Sequence, residues 1–400
     1  MGKIKSRPES STTTGKVLTR QFVFLCLTNF LHFLTVYSLL VTLPVYAVTL
    51  GAPEGQVGFV TAAVTLTSFL ALPYLGRWVD RLGRTTLLHL GPLLLLGEAI
   101  ALPHVSWFPL LVATGVICGA GLASFQTGAP TLVADIAPIH RRGEAVGILG
   151  AFTTSAVALS PTIATYVMRS PAGFPGLFTM TAVLAGAAFA LSFVIKEPPR
   201  RTTPAVVGSL LNPRAFLPGF CIFSITLAYG AFISFLPGQA PRIGMDNAGL
   251  FFTVYAIATI LVRILAGGIS DRVGRIPVII PALFIVAGAT LMVGLSDSPG
   301  MILLAAAFWG LGYGSAHPTI LALAVDRASP DQRSSAVTTF NVGYNLGVTV
   351  GALGMGFLLE ATSFSMMAAV AGVAPVIALT ALYLRRQSLV TPAPIPLPRD

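Results

Sequence analysis

Twelve stretches of the chain are apolar for about 20 residues each, the length a helix needs to cross ~30 Å of hydrocarbon. They fall at approximately 22–48, 57–76, 85–102, 107–135, 144–168, 175–195, 214–236, 248–268, 277–295, 300–325, 334–360 and 366–385. The gaps between them are short and carry Pro, Gly and charge, as helix breaks do. The longest polar interruption, 196–213, separates six runs from six. The pattern predicts an all-α membrane protein of 12 transmembrane helices in two six-helix bundles, 21–195 and 214–386. A tail at 1–20, a linker at 196–213 and a tail at 387–400 complete it.

Composition agrees with a lipid surround. Apolar residues make up 54% of the 400 and charged residues 10%, against roughly 25% charged in soluble domains. The net charge of +10 raises the question of a nucleic-acid partner, and its placement answers it. Lys and Arg sit in the short gaps, with no basic face and no interleaved aromatic platform, so no nucleic acid is expected. With the N-terminus inside, all 24 of them but Arg169, Arg242 and the intramembrane Arg263 fall on inner segments. That bias places both termini in the cytoplasm and the chain in a cytoplasmic, inner-type membrane. Cys26, Cys118 and Cys221 lie inside apolar runs without ligand spacing and read as small core residues.

A nine-residue loop occurs twice. Residues 76–84 contain Gly76, Asp80, Arg81, Gly83 and Arg84; residues 267–275 contain Gly267, Asp271, Arg272, Gly274 and Arg275, each 191 positions later. Asp135 and Asp326, Gly119 and Gly310, and Gly121 and Gly312 keep the same offset. A charged turn repeated at half the chain length points to two homologous membrane halves. In each loop the first glycine lets a helix approach its neighbour closely, and the second permits a tight turn. Asp80 can pair with Arg84, or cap the N-terminus of a facing helix near Ser334 or Gly143, where the helix dipole favours a carboxylate. Either way it would latch an inner gate. The alternative is a plain topology anchor. Asp135, Asp326 and Arg263 read as further gate members, with Asp135 and Asp326 facing the loop arginines.

The motif Gly-x-x-x-Asp-Arg-x-Gly-Arg between the second and third helices, echoed between the eighth and ninth, resembles the signature loop of the major facilitator superfamily. The resemblance covers about 20–390. It implies two six-helix bundles, a central cavity lined mainly by helices 1, 4, 7 and 10, and rocking alternating access. Residues 132–138 with Arg141, Arg142, Gly143 and Glu144 resemble bacterial efflux members, including drug–proton antiporters and metallophore exporters. Three positions depart from that pattern. Gly115 stands where such antiporters carry an Arg, Ser160-Pro161-Thr162 replaces their Gly-Pro signature, and Leu72 precedes Pro73 where an Arg is common.

Ionisable and polar groups inside the spans are few, and each is a candidate for function. Asn29, His32 and Tyr37 lie in helix 1, Gln126 in helix 4, Tyr229 in helix 7, Tyr313 and His317 in helix 10, and Asn341 and Asn345 in helix 11. They are candidates to line a substrate cavity. His32 and His317 are the candidates for proton coupling, since histidine titrates near neutral pH; each could instead be a neutral, hydrogen-bonded packing residue. Phe125 could add an aromatic wall. Glu98 lies in a peripheral helix and reads as uncharged or snorkelling. Gly343, Gly347 and Gly351 offer a flat face for sliding against helix 2.

No His/Cys/Asp cluster has metal spacing and no phosphate loop appears, so no catalysis, cofactor or metal is expected. The sequence favours a monomeric, proton-driven exporter of a small organic molecule. A proton symporter or facilitator importing a sugar or organic acid, and a non-transporting receptor or scaffold, remain the alternatives.

Overall fold

The glycines that open the two repeated turns carry the first structural consequence of the sequence. Gly83 has φ 101° and Gly274 φ 94°, a region that L side chains rarely adopt. Each lets one long helix end and the next begin within a residue or two. The structure, a computed structural model, describes residues 17–138, 141–197, 211–329 and 332–385. Within helices, the side chains of Pro73, residues 76–82, Ala134, residues 142–143, residues 264–268, Asp271 and residues 333–334 lie outside that description.

Twelve long helices follow in order: α1 (Arg20–Thr49), α2 (Gly58–Leu82), α3 (Arg84–Ala101), α4 (Phe108–Ile136), α5 (Arg142–Arg169), α6 (Gly173–Ser192), α7 (Phe216–Gln239), α8 (Gly249–Val273), α9 (Ile276–Gly294), α10 (Pro299–Asp326), α11 (Arg333–Ala361) and α12 (Phe364–Leu384). They match the twelve apolar runs one to one. Eleven contain a stretch long and apolar enough to cross a membrane; in α8 the described apolar stretch is Gly249–Arg263. Starts are capped locally. Thr19, Ser298 and Ser363 accept the backbone N–H of Phe22, Met301 and Met366, as exposed helix N-termini require.

The halves, α1–α6 and α7–α12, pack by one scheme. In the first, α1 lies against α5 and α6, α2 against α4, and α3 against α4 and α6. In the second, α7 lies against α11 and α12, α8 against α10, and α9 against α10 and α12. The 191-residue offset reaches single atoms. A Cβ on Gly119 would stand 2.3 Å from the Val64 carbonyl oxygen, and one on Gly310 would stand 2.3 Å from that of Tyr255. Gly121 and Gly312 approach the carbonyls of Gly91 and Ala282 in the same paired way. Close backbone approach at small residues holds helices together where lipid offers no hydrophobic drive. The halves meet along α2 with α11, and α5 with α8, an exchange of equivalent helices about a pseudo-twofold axis.

The glycine face of α11 corrects one expectation. Gly343, Gly347 and Gly351 lie against the α7 backbone at Gly219, Phe223 and Leu227, inside one half and not against α2. Three helical turns of carbonyl contact make this a fixed seam.

Candidate functional site

Between the halves lies a cavity of about 250 Å³, lined by Tyr37 of α1, Gly150, Thr153, Thr154 and Val157 of α5, Tyr229 of α7, Tyr255, Ala256, Thr259 and Arg263 of α8, Tyr313 and His317 of α10 and Tyr344 of α11. Five of the chain's nine tyrosines converge here, which makes the concentration a designed feature of the wall. Trp309, fully buried, backs it: Tyr313 stacks on its face at 5.5 Å and Tyr255 meets it edge-on at 5.1 Å. Its Nε1 donates to Thr290 at 3.2 Å, which fixes the indole and through it the tyrosines. His317 packs against Tyr313, Phe340 and Tyr344.

The α5 wall is hydroxyl-rich, but its hydroxyl protons are already committed. Thr153 donates to Leu149 O and Thr154 to Gly150 O, leaving oxygens that accept. Thr153 accepts from Asn29 Nδ2 at 2.8 Å, and Thr154 accepts from Arg263 Nη1 across the halves at 3.2 Å.

The cavity gathers Tyr37, Tyr229, Tyr313 and His317 from the sequence candidates, together with Arg263, which sequence placed with the gate. The others stand elsewhere. Asn29 lies one layer behind the wall, through Thr153. His32 is fully buried within the first half, its ring stacked at 4.3 Å on Phe125. Neither of its ring nitrogens has a hydrogen-bond partner. Phe125 is thus its packing partner and not a cavity wall. Gln126 bridges to α2, accepting from Ser68 at 3.4 Å. Asn345 donates to the Asn341 carbonyl within α11. Sequence reasoning missed Thr153, Thr154, Tyr255, Thr259 and Tyr344. The scarcity of tyrosine was the available signal.

At the face bearing the repeated turns, Arg84 Nε lies 3.0 Å from Asp135 and Arg275 Nε lies 3.0 Å from Asp326, one pair per half at the same offset. Glu197, from the predicted linker, joins the first pair. Its carboxylate accepts Arg84 N at 3.0 Å and Thr85 Oγ1 at 2.9 Å, capping α3. Arg272 is exposed. The side chains of Arg81, Asp80 and Asp271, like Gly76 and Gly267, lie outside the described set.

The opposite face is closed. Between described residues, hydrogen bonds join the halves from the cavity outward: Thr154–Arg263, Thr253 to Ala158 O and to Thr162, Thr65–Thr349 at 2.8 Å, Ser234–Thr61 at 3.0 Å, and Glu54 with Arg242 and Gln239. Glycines make the closure tight. A Cβ on Gly58 would stand 1.9 Å from Ala352 O, and one on Gly356 would stand 2.2 Å from Gly55 O. A second, larger hollow of about 310 Å³ opens on this face beside Glu54, Arg169 and Gln239. Ser234, Glu54 and Gln239 of the seal form part of its wall.

The sequence profile of the Major Facilitator Superfamily matches residues 25–246 and 218–399. The chain is 24% identical over 259 residues to the quinolone resistance protein NorA of Staphylococcus aureus (strain MRSA252), covering 60% of this chain and 66% of NorA, just under two thirds. It is 22% identical over 378 residues to the staphylopine export protein of Staphylococcus aureus (strain Mu50), covering 88% of this chain and 92% of that protein. In fold it is similar to an inward-facing bacterial homolog of the human lysosomal transporter Spinster, with TM-score 0.77 at 14% identity, covering 94% of this chain and 98% of that one. The inward-open xylose transporter XylE from E. coli aligns with TM-score 0.74 at 16% identity, over 93% and 96% of the two chains.

Proposed function

The chain belongs to the Major Facilitator Superfamily, and from that premise we propose that it is a secondary active transporter exporting a small organic compound against a proton gradient. The one-ended seam between the halves carries this reading. Hydrogen bonds and backbone contacts tie the far face shut from Thr154 outward, while the cavity lies on the side of the repeated turns. Rocking the halves about the cavity would break this set and close the opposite face, the alternation a carrier needs. The basic turn-bearing face is cytoplasmic, as are both termini, and the carrier works as a monomer in the cytoplasmic membrane. Asp80, Asp271 and the Arg84–Asp135 and Arg275–Asp326 pairs hold that face in the alternate state. His317, on the cavity wall, is the favoured proton-binding group, and His32 is the second candidate. Export is supported by the name of the relative that the chain matches nearly end to end, the staphylopine export protein.

One observation favours the runner-up, import by symport or facilitation. No carboxylate lines the cavity among the described side chains, so no acid is present there for a proton and a cationic substrate to contest. Direction is decided by flux. A deletion strain screened for toxicity against a chemical panel supplies a substrate. That compound should then accumulate in inverted vesicles when their lumen is acidified, and Asp80→Asn should abolish the accumulation. Accumulation only in right-side-out vesicles under an inward proton gradient would establish import instead. No flux in either orientation would leave a receptor or scaffold.

A further inference from the structure

Among the described side chains, the charge balance of the cavity is one-sided. Arg263 enters it from α8, half-buried, and its Nε is buried without a hydrogen-bond partner. Its recorded hydrogen bond is the one from Nη1 to the neutral Thr154. The carboxylates whose side chains are described all stand away from it. Asp135, Asp326 and Glu197 pair at the turn-bearing face, Glu144 pairs with Arg141, and Glu54 pairs with Arg242 on the far face. Glu98 is sealed inside the first half. Asp246 and Asp297 lie in loops beyond α7 and α9, and Glu360 lies at the far end of α11. A cation held in a low-dielectric cleft without a counter-charge is costly unless something anionic visits.

The rest of the wall is matched to that visitor. The tyrosine hydroxyls of Tyr37, Tyr344, Tyr313 and Tyr255 follow one another around the cavity to Thr259. Phenol hydroxyls donate readily, and guanidinium offers a planar fork of donors that fits a carboxylate. Arg263, Tyr255, Tyr313 and His317 line the same cavity. Tyr229, also on the wall and stacked on Trp309 at 5.9 Å, adds aromatic surface suited to a flat apolar body.

Resting on the reading of this cavity as the transport site, we propose that it takes a small organic monoanion with an aromatic body, its acid group seated at Arg263 among the hydroxyls of Tyr255 and Tyr313. The volume of about 250 Å³ suits a one- or two-ring acid and excludes a two-chain lipid.

Three compounds of one shape separate the possibilities: 3-phenylpropionate, its amide 3-phenylpropanamide, and the cation 3-phenylpropylammonium. Binding to the full-length protein in detergent is read by calorimetry, and flux by uptake into proteoliposomes. The anion should bind at least tenfold tighter than either analogue. Arg263→Gln should remove that advantage, with an unchanged thermal-unfolding midpoint reporting that the variant is folded, and Arg263→Lys should restore part of it. The inference is overturned if the amide or the cation binds as well as the anion, if Arg263→Gln leaves anion affinity unchanged, or if none of the three binds. Flux separates this from the parent reading. Transport of the cation or amide but not the anion keeps the carrier and rejects the anion site. Arg263-dependent anion binding without flux of any compound keeps the site and rejects the carrier.

Discussion

The two halves share their packing and differ in their chemistry. Several close contacts recur at the 191-residue offset: Gly119 on Val64 and Gly310 on Tyr255, Gly121 on Gly91 and Gly312 on Ala282, and the ion pairs Arg84 with Asp135 and Arg275 with Asp326. The side chains turned toward the cavity do not recur. Tyr255, Arg263 and Tyr313 of the second half have Val64, Leu72 and Leu122 at the equivalent places, and His317 has Gln126. From the first half, α1 contributes Tyr37 and α5 contributes Thr153, which matches Tyr344 at the offset. The offset preserves what a membrane bundle needs in order to pack, while the cavity-lining side chains differ between the halves.

The packing side of this comparison is the easiest to break. Gly119→Ala and Gly310→Ala each drive a methyl into a backbone carbonyl that cannot swing away, and each is expected to cost about 1–3 kcal/mol. Thermal unfolding of the purified variants should show two similar losses. A large loss at one glycine with none at the other would show that the halves are matched in sequence but not in packing.

The cavity side predicts the opposite, unequal effects at equivalent positions. His317→Gln makes the second half like the first and should uncouple flux from the pH gradient while leaving downhill exchange of substrate. Gln126→His, which lies toward α2, should not introduce a second coupled proton. Tyr313→Phe removes one hydroxyl donor and should weaken substrate binding about two- to tenfold, the worth of a single hydrogen bond. Leu122→Phe should leave affinity unchanged. Equal effects on the two sides would contradict a one-sided cavity.

What could be read from the sequence follows the same division. Helix number, the two bundles and the paired turns were legible because they are written as runs and as a fixed offset, and both survive projection onto one dimension. The cavity wall was only partly legible. His32 and His317 look alike as isolated histidines in apolar runs, yet one is clamped against Phe125 inside a half and the other faces the cleft. That difference is the rotation of a helix, which a run apolar on all sides does not encode. Arg263 sits one turn from the second loop, so sequence distance placed it with the gate; its long side chain reaches Thr154 of the other half and the cavity wall. Glu197 looked like linker because it sits among Lys196, Pro198 and Arg200, and its role as the α3 cap depends on where α6 ends in space.

The ion pairs at the turn-bearing face refine the comparison, since equivalent pairs need not be equal in strength. Arg84 is 14% exposed and Asp135 32%, whereas Arg275 is 25% exposed and Asp326 53%. Arg84 also has Glu197 at 4.0 Å. Removing Arg84 therefore strands two partly shielded carboxylates and should cost about 1–2 kcal/mol. Removing Arg275 should cost less than about 1 kcal/mol, because water screens its partner. Double-mutant cycles on Arg84/Asp135 and Arg275/Asp326 would measure both coupling energies. The swap Arg84→Asp with Asp135→Arg should recover more transport than either change alone.

The smallest effect belongs to the far-face clamp, and it tests whether closure is one-sided as well. Glu54 meets Arg242 at 2.7 Å with both side chains more than half exposed, so the pair contributes at most about 1 kcal/mol. The offset equivalent of Glu54 is Met245, and no second clamp of this kind stands across the axis among the described residues. Whatever the pair contributes enters the opening equilibrium directly, because it joins the two halves and nothing else. Glu54→Gln should then raise the population open at this face by up to about fivefold. Phe235, 3% exposed and on the edge of the outer hollow, is the place to read it. A Phe235→Cys variant should react with a membrane-impermeant thiol reagent up to about fivefold faster once Glu54→Gln is added. The native Cys26, Cys118 and Cys221 are buried, so background labelling stays low. High salt should reproduce part of the effect in the Glu54 parent, since exposed pairs are screened. An unchanged rate would assign closure to the remaining inter-half hydrogen bonds and to the backbone contacts of Gly58 and Gly356, and would return the far face to the symmetric side of the comparison.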